Sequence, residues 1–196
     1  MRYLPNQFMN ISGHEASINC FDLDFQNRII TLFGEINEET ASVFNSAIRA
    51  LKRNSNDTIT VYINSPGGSV TDGFSMYDTA KASGCNIRTV ATGMAASMGA
   101  FLLTAMGTKG MRYAQPNSEI LLHQPLGGAQ GQASDVRIHA EHVLGIRDKI
   151  NAHLAKATGK KKSEIEKDTD RDYILEAEEA LEYGLIDKIG DPLEEE

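Results

Sequence analysis

The sequence predicts an α/β fold built on a largely parallel sheet. Three observations carry that prediction. Short β-branched runs alternate with stretches whose apolar residues recur at helical spacing. One strand runs straight into Pro66-Gly67-Gly68, a turn that no strand or helix interior tolerates. A chain of 196 residues that is 41% hydrophobic has enough apolar material for one domain with a sizeable core.

Residues 1–20 show no clear period and read as partly irregular. Residues 28–33 form the first clear strand, closed by Gly34. Asn37 caps a helix whose apolar positions Ala41, Phe44, Ala47, Ile48 and Leu51 share one face. Residues 59–64 are a second strand, and a helix carrying Phe74, Tyr77 and Ala80 follows the glycine turn. Residues 87–92 are a third strand, leading into an apolar, helix-length run that starts at Ser97. Residues 112–114 and 119–123 are two further short strands, and residues 127–132 a flexible or extended connector. Ser134 opens a long helix with Val136, Ala140, Val143, Ile150 and Leu154 on its buried face. Gly159 ends it, with lysines beside it as a helix C-terminus prefers. Ser163 and Glu166 have capping-box spacing for a short helix. Residues 176–183 are the last helix, stopped by Gly184 and followed by Leu185-Ile186-Asp187. There is neither an internal repeat nor a low-complexity region.

Several function classes fall away. A net charge of −8 opposes binding to nucleic acid or an anionic membrane. Cys20 and Cys85 have no paired spacing, the pattern of a reducing compartment. The first residues lack the apolar core of a secretory signal. Residues 94–106 are too short and too rich in Gly and Ala to span a bilayer. The expectation is a soluble, cytoplasmic protein. No Gly-x-x-x-x-Gly-Lys-Ser/Thr occurs, so ATP is not held by a P-loop. His139 and His142 share a helical face, but no third ligand is evident and a solvated face explains them; no metal is expected.

The chemistry-bearing residues start with Ser97, in Gly93-Met94-Ala95-Ala96-Ser97-Met98-Gly99-Ala100-Phe101. Small neighbours let the backbone turn sharply and let a substrate approach the hydroxyl. The following helix start offers free N–H groups and a positive dipole end to a developing oxyanion. Ala95-x-Ser97-x-Gly99 is a relaxed nucleophile-elbow pattern, and a plain packing serine fits so short a motif equally well. Chain order opposes the α/β-hydrolase version, which runs Ser, acid, His; here the last histidine, His153, precedes the best acids. His123 ends an apolar strand, where reactive groups tend to sit, although His14, His139, His142 and His153 compete and a structural anchor is the plain alternative. Asp168, Asp170 and Asp172 lie in one acid-rich turn. Any of them would suit the orienting acid of a triad. Gly67 and Gly68 allow backbone N–H groups to face a carbonyl oxygen unobstructed.

Six segments occur in a telling order: Tyr62-Ile63-Asn64-Ser65-Pro66-Gly67-Gly68, then Ala95-Ala96-Ser97-Met98-Gly99-Ala100-Phe101-Leu102-Leu103, Pro116-Asn117-Ser118, His123-Gln124-Pro125-Leu126-Gly127-Gly128, Gln130-Gly131-Gln132-Ala133 and Asp168-Thr169-Asp170-Arg171-Asp172. Together they resemble the proteolytic subunits of the Clp protease, with coverage from about residue 28 to 191. The resemblance implies a crotonase-like α/β superhelix of strand–helix units with a protruding handle helix. It implies Ser97 as nucleophile, His123 as general base and Asp172 as orienting acid, with the backbone N–H groups of Gly68 and Met98 as oxyanion hole. Gly127, Gly128 and Gln130 would pair with an extended substrate peptide. Asp170 and Arg171 would bond across a ring–ring contact made by the long helix. The implied assembly is a homo-oligomer of two stacked heptameric rings enclosing a chamber. A ring-shaped Clp ATPase would feed it unfolded chains, and no cofactor is implied. The chain then divides into a divergent N-terminal segment 1–27, a peptidase domain 28–191 and an acidic tail 192–196. The N-terminal segment looks more like phage-type head-maturation proteases. Thr60 and Ala82 stand where many members carry ATPase-docking aromatics, though Tyr62 and Tyr113 remain. The expectation is therefore a serine endopeptidase. Its alternatives are a phage-type head-maturation protease related to the same family, a crotonase-type acyl-CoA enzyme with the same fold and a catalytically silent ring subunit.

Overall fold

A computed structural model describes residues 7–11, 14–128 and 130–194, with side chains from Ser17 onward except Ile18 and Glu194. Ala129 of the connector and Glu195 and Glu196 of the tail lie outside the described residues. The chain opens with an antiparallel pair, β1 (Gln7–Ile11) and β2 (His14–Ile18), in a sheet of their own. These residues are thus paired strands within a segment expected to be partly irregular. Their pairing is local backbone hydrogen bonding, which leaves no apolar period in the sequence. Asn19 then caps α1 (Cys20–Gln26), a helix absent from the expectation.

The main sheet has seven strands in the order β3-β4-β5-β6-β9, with β7 joined to β5 and β8 to β7. They are β3 (Ile29–Phe33), β4 (Ile59–Ser65), β5 (Ile87–Ala96), β6 (Arg112–Ala114), β7 (Glu119–Leu122), β8 (Tyr173–Leu175) and β9 (Lys188–Ile189). Every pairing is parallel except β7 with β8. This is the predicted crotonase-like α/β class. Helices α2 (Glu38–Asn54) and α3 (Val70–Ser83) make the crossovers. Asn37 caps α2 as expected, its side chain accepting from the Thr40 N–H at 3.0 Å. Ile48, Ile59, Ile63, Met76, Phe101, Leu103 and Ile120 are among the core residues sealed between helices and sheet.

Four expectations change. β5 extends to Ala96, past residue 92, because it is paired in two stages: residues 89–91 with β6 and 94–96 with β7. Gly and Ala are poor strand formers, so local propensity hides the second stage. The apolar run after Ser97 is one α-helical turn, α4 (Met98–Phe101), followed by a π-helical turn, Leu102–Met106. α5 (Ala133–Thr158) buries Ile150 and Leu154, but Val136 and Ala140 are exposed, as are Ile138 and Leu144. Among the described residues nothing covers these four side chains. α6 (Lys162–Asp168) has Lys161 at its cap and Ser163 inside it. Lys162 pairs with Asp148 and Glu166 instead, tying α6 to α5. α7 (Ala177–Tyr183) closes the set, with Glu176 at its cap and Gly184 at its end.

Candidate active site

Ser97 stands where β5 gives way to α4. Its φ of 54° and ψ of −119° lie in a region that side chains rarely occupy. Such strain costs about 1–3 kcal/mol and persists only where the surroundings enforce it. Here the Ser97 N–H donates to Leu121 O at 2.9 Å, and Ser97 O accepts from the Phe101 N–H at 3.0 Å. The small neighbours follow from close approach. A Cβ on Gly67 would lie 2.7 Å from Ser97 Cβ and 3.0 Å from Met98 N, and one on Gly99 would lie 3.0 Å from Ser65 O.

Strand register delivers His123 to the same place. Ala96 pairs with Leu121, and Leu122 pairs with Tyr173 on the antiparallel neighbour. One step beyond β7 sets His123 opposite Asp172, and His123 Nδ1 lies 3.3 Å from Asp172 Oδ1. His123 is 22% exposed and Asp172 70%, so the pair opens to solvent. No hydrogen bond joins Ser97 Oγ to His123 among the described residues. Such contacts are often long in unliganded sites and tighten around substrate.

The three aspartates, equivalent in sequence, have different partners. Asp168 Oδ2 accepts from the Tyr183 hydroxyl at 2.7 Å. Asp170 O accepts from Gln124 Nε2 at 3.0 Å. Asp172 alone faces the histidine. Gln124 is a residue that sequence reasoning missed as a connector. Its N–H donates to Thr169 O at 2.7 Å, and its Oε1 accepts from Arg147 of α5 at 3.4 Å. Its only signal in sequence is its place beside His123.

Gly68 has a φ of 145°, and a Cβ there would lie 2.2 Å from Ile36 O, so only glycine fits. Its N–H meets no acceptor among the described residues. The Met98 N–H, at the first position of α4, has no intrahelical acceptor. Two amides without a backbone acceptor thus belong to the chain neighbours of Gly67 and of Ser97. Gly127, Gly128 and Gln130 are exposed and irregular, and Gly127 lies close against Val143 of α5. Asp170 and Arg171 are exposed.

Of the aromatics expected at an ATPase-docking face, Tyr113 is only 4% exposed. The Tyr62 hydroxyl donates to Asp191 Oδ1 at 2.7 Å; burial first, then Asp191, raises its pKa. Thr60 is buried and Ala82 exposed. Among the described residues no group of His, Cys, Asp and Glu is placed to hold a metal ion, and His139 and His142 are exposed on α5. No helix among them is long and apolar enough to cross a membrane.

A strained serine beside a His–Asp pair, with free amides close by, is an arrangement able to carry acyl transfer. The family model for Clp protease matches residues 12–192, and the chain belongs to that family. It is therefore a peptidase of ring-forming kind, acting on peptide substrates. The match begins well ahead of residue 28 and so includes part of the segment expected to be divergent.

Proposed function

We propose that this chain is a serine endopeptidase and the proteolytic subunit of an ATP-dependent Clp-type protease of the cytoplasm. The observation that carries the reading is the backbone of Ser97. Among the described residues only Arg28 and Ser97 combine a side chain with positive φ. The Arg28 guanidinium is consumed by four carbonyls, those of Leu51, Ser55, Asp57 and Thr58. Ser97 carries its strain at a strand-to-helix turn beside His123, which fits a nucleophile held out for attack.

In this reading Ser97 Oγ attacks the peptide carbonyl carbon while His123 Nε2 takes its proton. Asp172, against Nδ1, holds the working tautomer and stabilises the imidazolium. The amides of Gly68 and Met98 donate to the oxyanion. His123 then protonates the leaving amine, and water activated by the same imidazole hydrolyses the acyl-serine. Gly127, Gly128 and Gln130 leave backbone groups free to pair with an extended peptide. The exposed apolar first half of α5 supports a second ring stacked on the first, in heptameric rings whose contact includes Asp170 and Arg171. A ring-shaped ATPase supplies unfolded chains, since the sequence has no P-loop motif of its own.

A labelled fluorophosphonate tests the chemistry. The full chain is expected to be modified at Ser97 and to cleave a short fluorogenic peptide, and Ser97→Ala to do neither while keeping its native mass. An acyl-CoA enzyme or a silent subunit would leave Ser97 unlabelled.

A further inference from the structure

A cavity of about 410 Å³ opens at the end of β5 remote from Ser97, between α3, the π-helical turn, residues 107–109 and the end of α5. Its lining includes Lys81, Lys109, Lys156, Arg112, His153 and Thr104. Asp187 neutralises Arg112. No ion pair among the described residues involves Lys81, Lys109 or Lys156. Lys81 Nζ donates to Met106 O at 2.9 Å and lies over the Tyr77 ring, which anchors it at the wall. Burial, and after it the charge of Lys156, lowers the Lys81 pKa. Burial and the neighbouring Lys149 do the same to His153, against a smaller opposite pull from Asp78. Three uncompensated ammonium groups have gathered in a chain whose net charge is −8. All three lysines are exposed, so each can turn toward an anion at the mouth of the cavity.

The second observation is independent of charge. Thr104 is fully buried and its hydroxyl has no hydrogen-bond partner. A helical threonine ordinarily returns its hydroxyl to a carbonyl one turn back, as Thr158 does to Leu154 O at 2.8 Å. Thr104 lies in the π-helical turn, an interruption that recurs at functional sites. Thr104 is among the residues lining this cavity, together with three lysines that lie outside any ion pair among the described residues.

We propose that this pocket binds a phosphoryl dianion, held by the ammonium groups of Lys81, Lys109 and Lys156 with the Thr104 hydroxyl as a neutral donor. Several donors and more than one positive charge match a dianion with several oxygens better than a single carboxylate. Free phosphate and the phosphoryl group of a small organic monoester share this chemistry.

Thermal unfolding of the full chain tests it, with inorganic phosphate or glycerol phosphate titrated at constant ionic strength against chloride. Saturable stabilisation by either compound is expected, and their ranking tells free phosphate from monoester. Lys81→Met and Thr104→Val retain the apolar stem or the shape of the side chain. Each is expected to weaken the half-saturating concentration about tenfold while peptide hydrolysis stays intact. Absence of saturable stabilisation, or equal stabilisation of wild type and both variants, overturns the proposal. So does a fall in native mass of Lys81→Met without any phosphate effect, which would assign the lysines to a subunit contact.

Discussion

At the scale of single residues, the acid-rich turn shows how position within a few ångströms separates like side chains. Asp168 is engaged by Tyr183 and Asp172 by His123. An amide at position 168 still accepts from the tyrosine hydroxyl. An amide at 172 presents the wrong group to Nδ1 and favours the wrong imidazole tautomer. Asp172→Asn is therefore expected to lower kcat by roughly 10⁴, as loss of a triad carboxylate does. Asp168→Asn should leave hydrolysis close to wild type. A peptide assay on both variants decides, and a more damaging Asp168→Asn would move the acid's role to position 168. Gly67 makes a second residue-scale test. Its missing Cβ is what lets the turn press on Ser97 and Met98, and its φ of 91° already disfavours a side chain. Gly67→Ala should displace the serine, and a shift near 1 Å costs about a hundredfold in rate. Circular dichroism should show the sheet retained while hydrolysis is lost.

At the scale of elements, the last strands are clamped by one buried ion pair. Arg112 on β6 donates to Asp187 just before β9, with contacts of 2.8 and 2.7 Å, and also to Ala157 O at the end of α5. Burial works to raise the Asp187 pKa, but the bonds and charge of Arg112 outweigh it and hold the carboxyl below its ordinary value. A depressed folded pKa means stability that is complete above the ordinary carboxylate value, about 3.9, and lost as pH falls through the folded value. Asp187→Asn should flatten the acid limb of the stability curve. At neutral pH it leaves Arg112, 3% exposed, without its counter-charge, a loss of about 3–5 kcal/mol. Urea unfolding between neutral and acid pH measures both effects.

At the scale of the whole molecule, the apolar residues of α5 that face solvent need a covering surface. Val136, Ile138 and Leu144 are between 39% and 59% exposed. Isolated exposed apolar residues are ordinary, but a run of them along one helix marks a contact. Assembly and catalysis are expected to be coupled, because Gln124 links Arg147 of that helix to Asp170, and Arg171 adjoins Asp172. Arg171→Ala should lower sedimentation coefficient and hydrolysis together. Full activity in a single ring or monomer would refute the coupling. A gated chamber further predicts that the purified chain cleaves short peptides yet leaves a stably folded protein intact, with or without ATP. Digestion of the folded substrate by this chain alone would point to an open site. ATP-dependent digestion on adding a Clp ATPase would show that docking tolerates Thr60 and Ala82.

Much of the architecture is local in origin, and for that reason was legible in the chain. β-Branched runs, the Asn37 cap, the terminating Gly159 and Gly184 and the Gly67-Gly68 turn each encode backbone angles that need no distant partner. Ser97 and His123 stood out because small residues and a strand end surround them. The resemblance pointed to Asp172, but residue chemistry left the three aspartates alike, and the physical reason that Asp172 faces His123 is tertiary: β7 and β8 pair antiparallel in one register. The tertiary structure alone extended β5 to Ala96, where pairing on both sides overrides weak propensity, and bent the Ser97 run into a π-helical turn. It alone gathered Lys81, Lys109 and Lys156 around Thr104 from three separate stretches of sequence. Backbone preference is a property of neighbours in the chain, whereas register, burial and charge clustering belong to residues that meet only when the sheet closes.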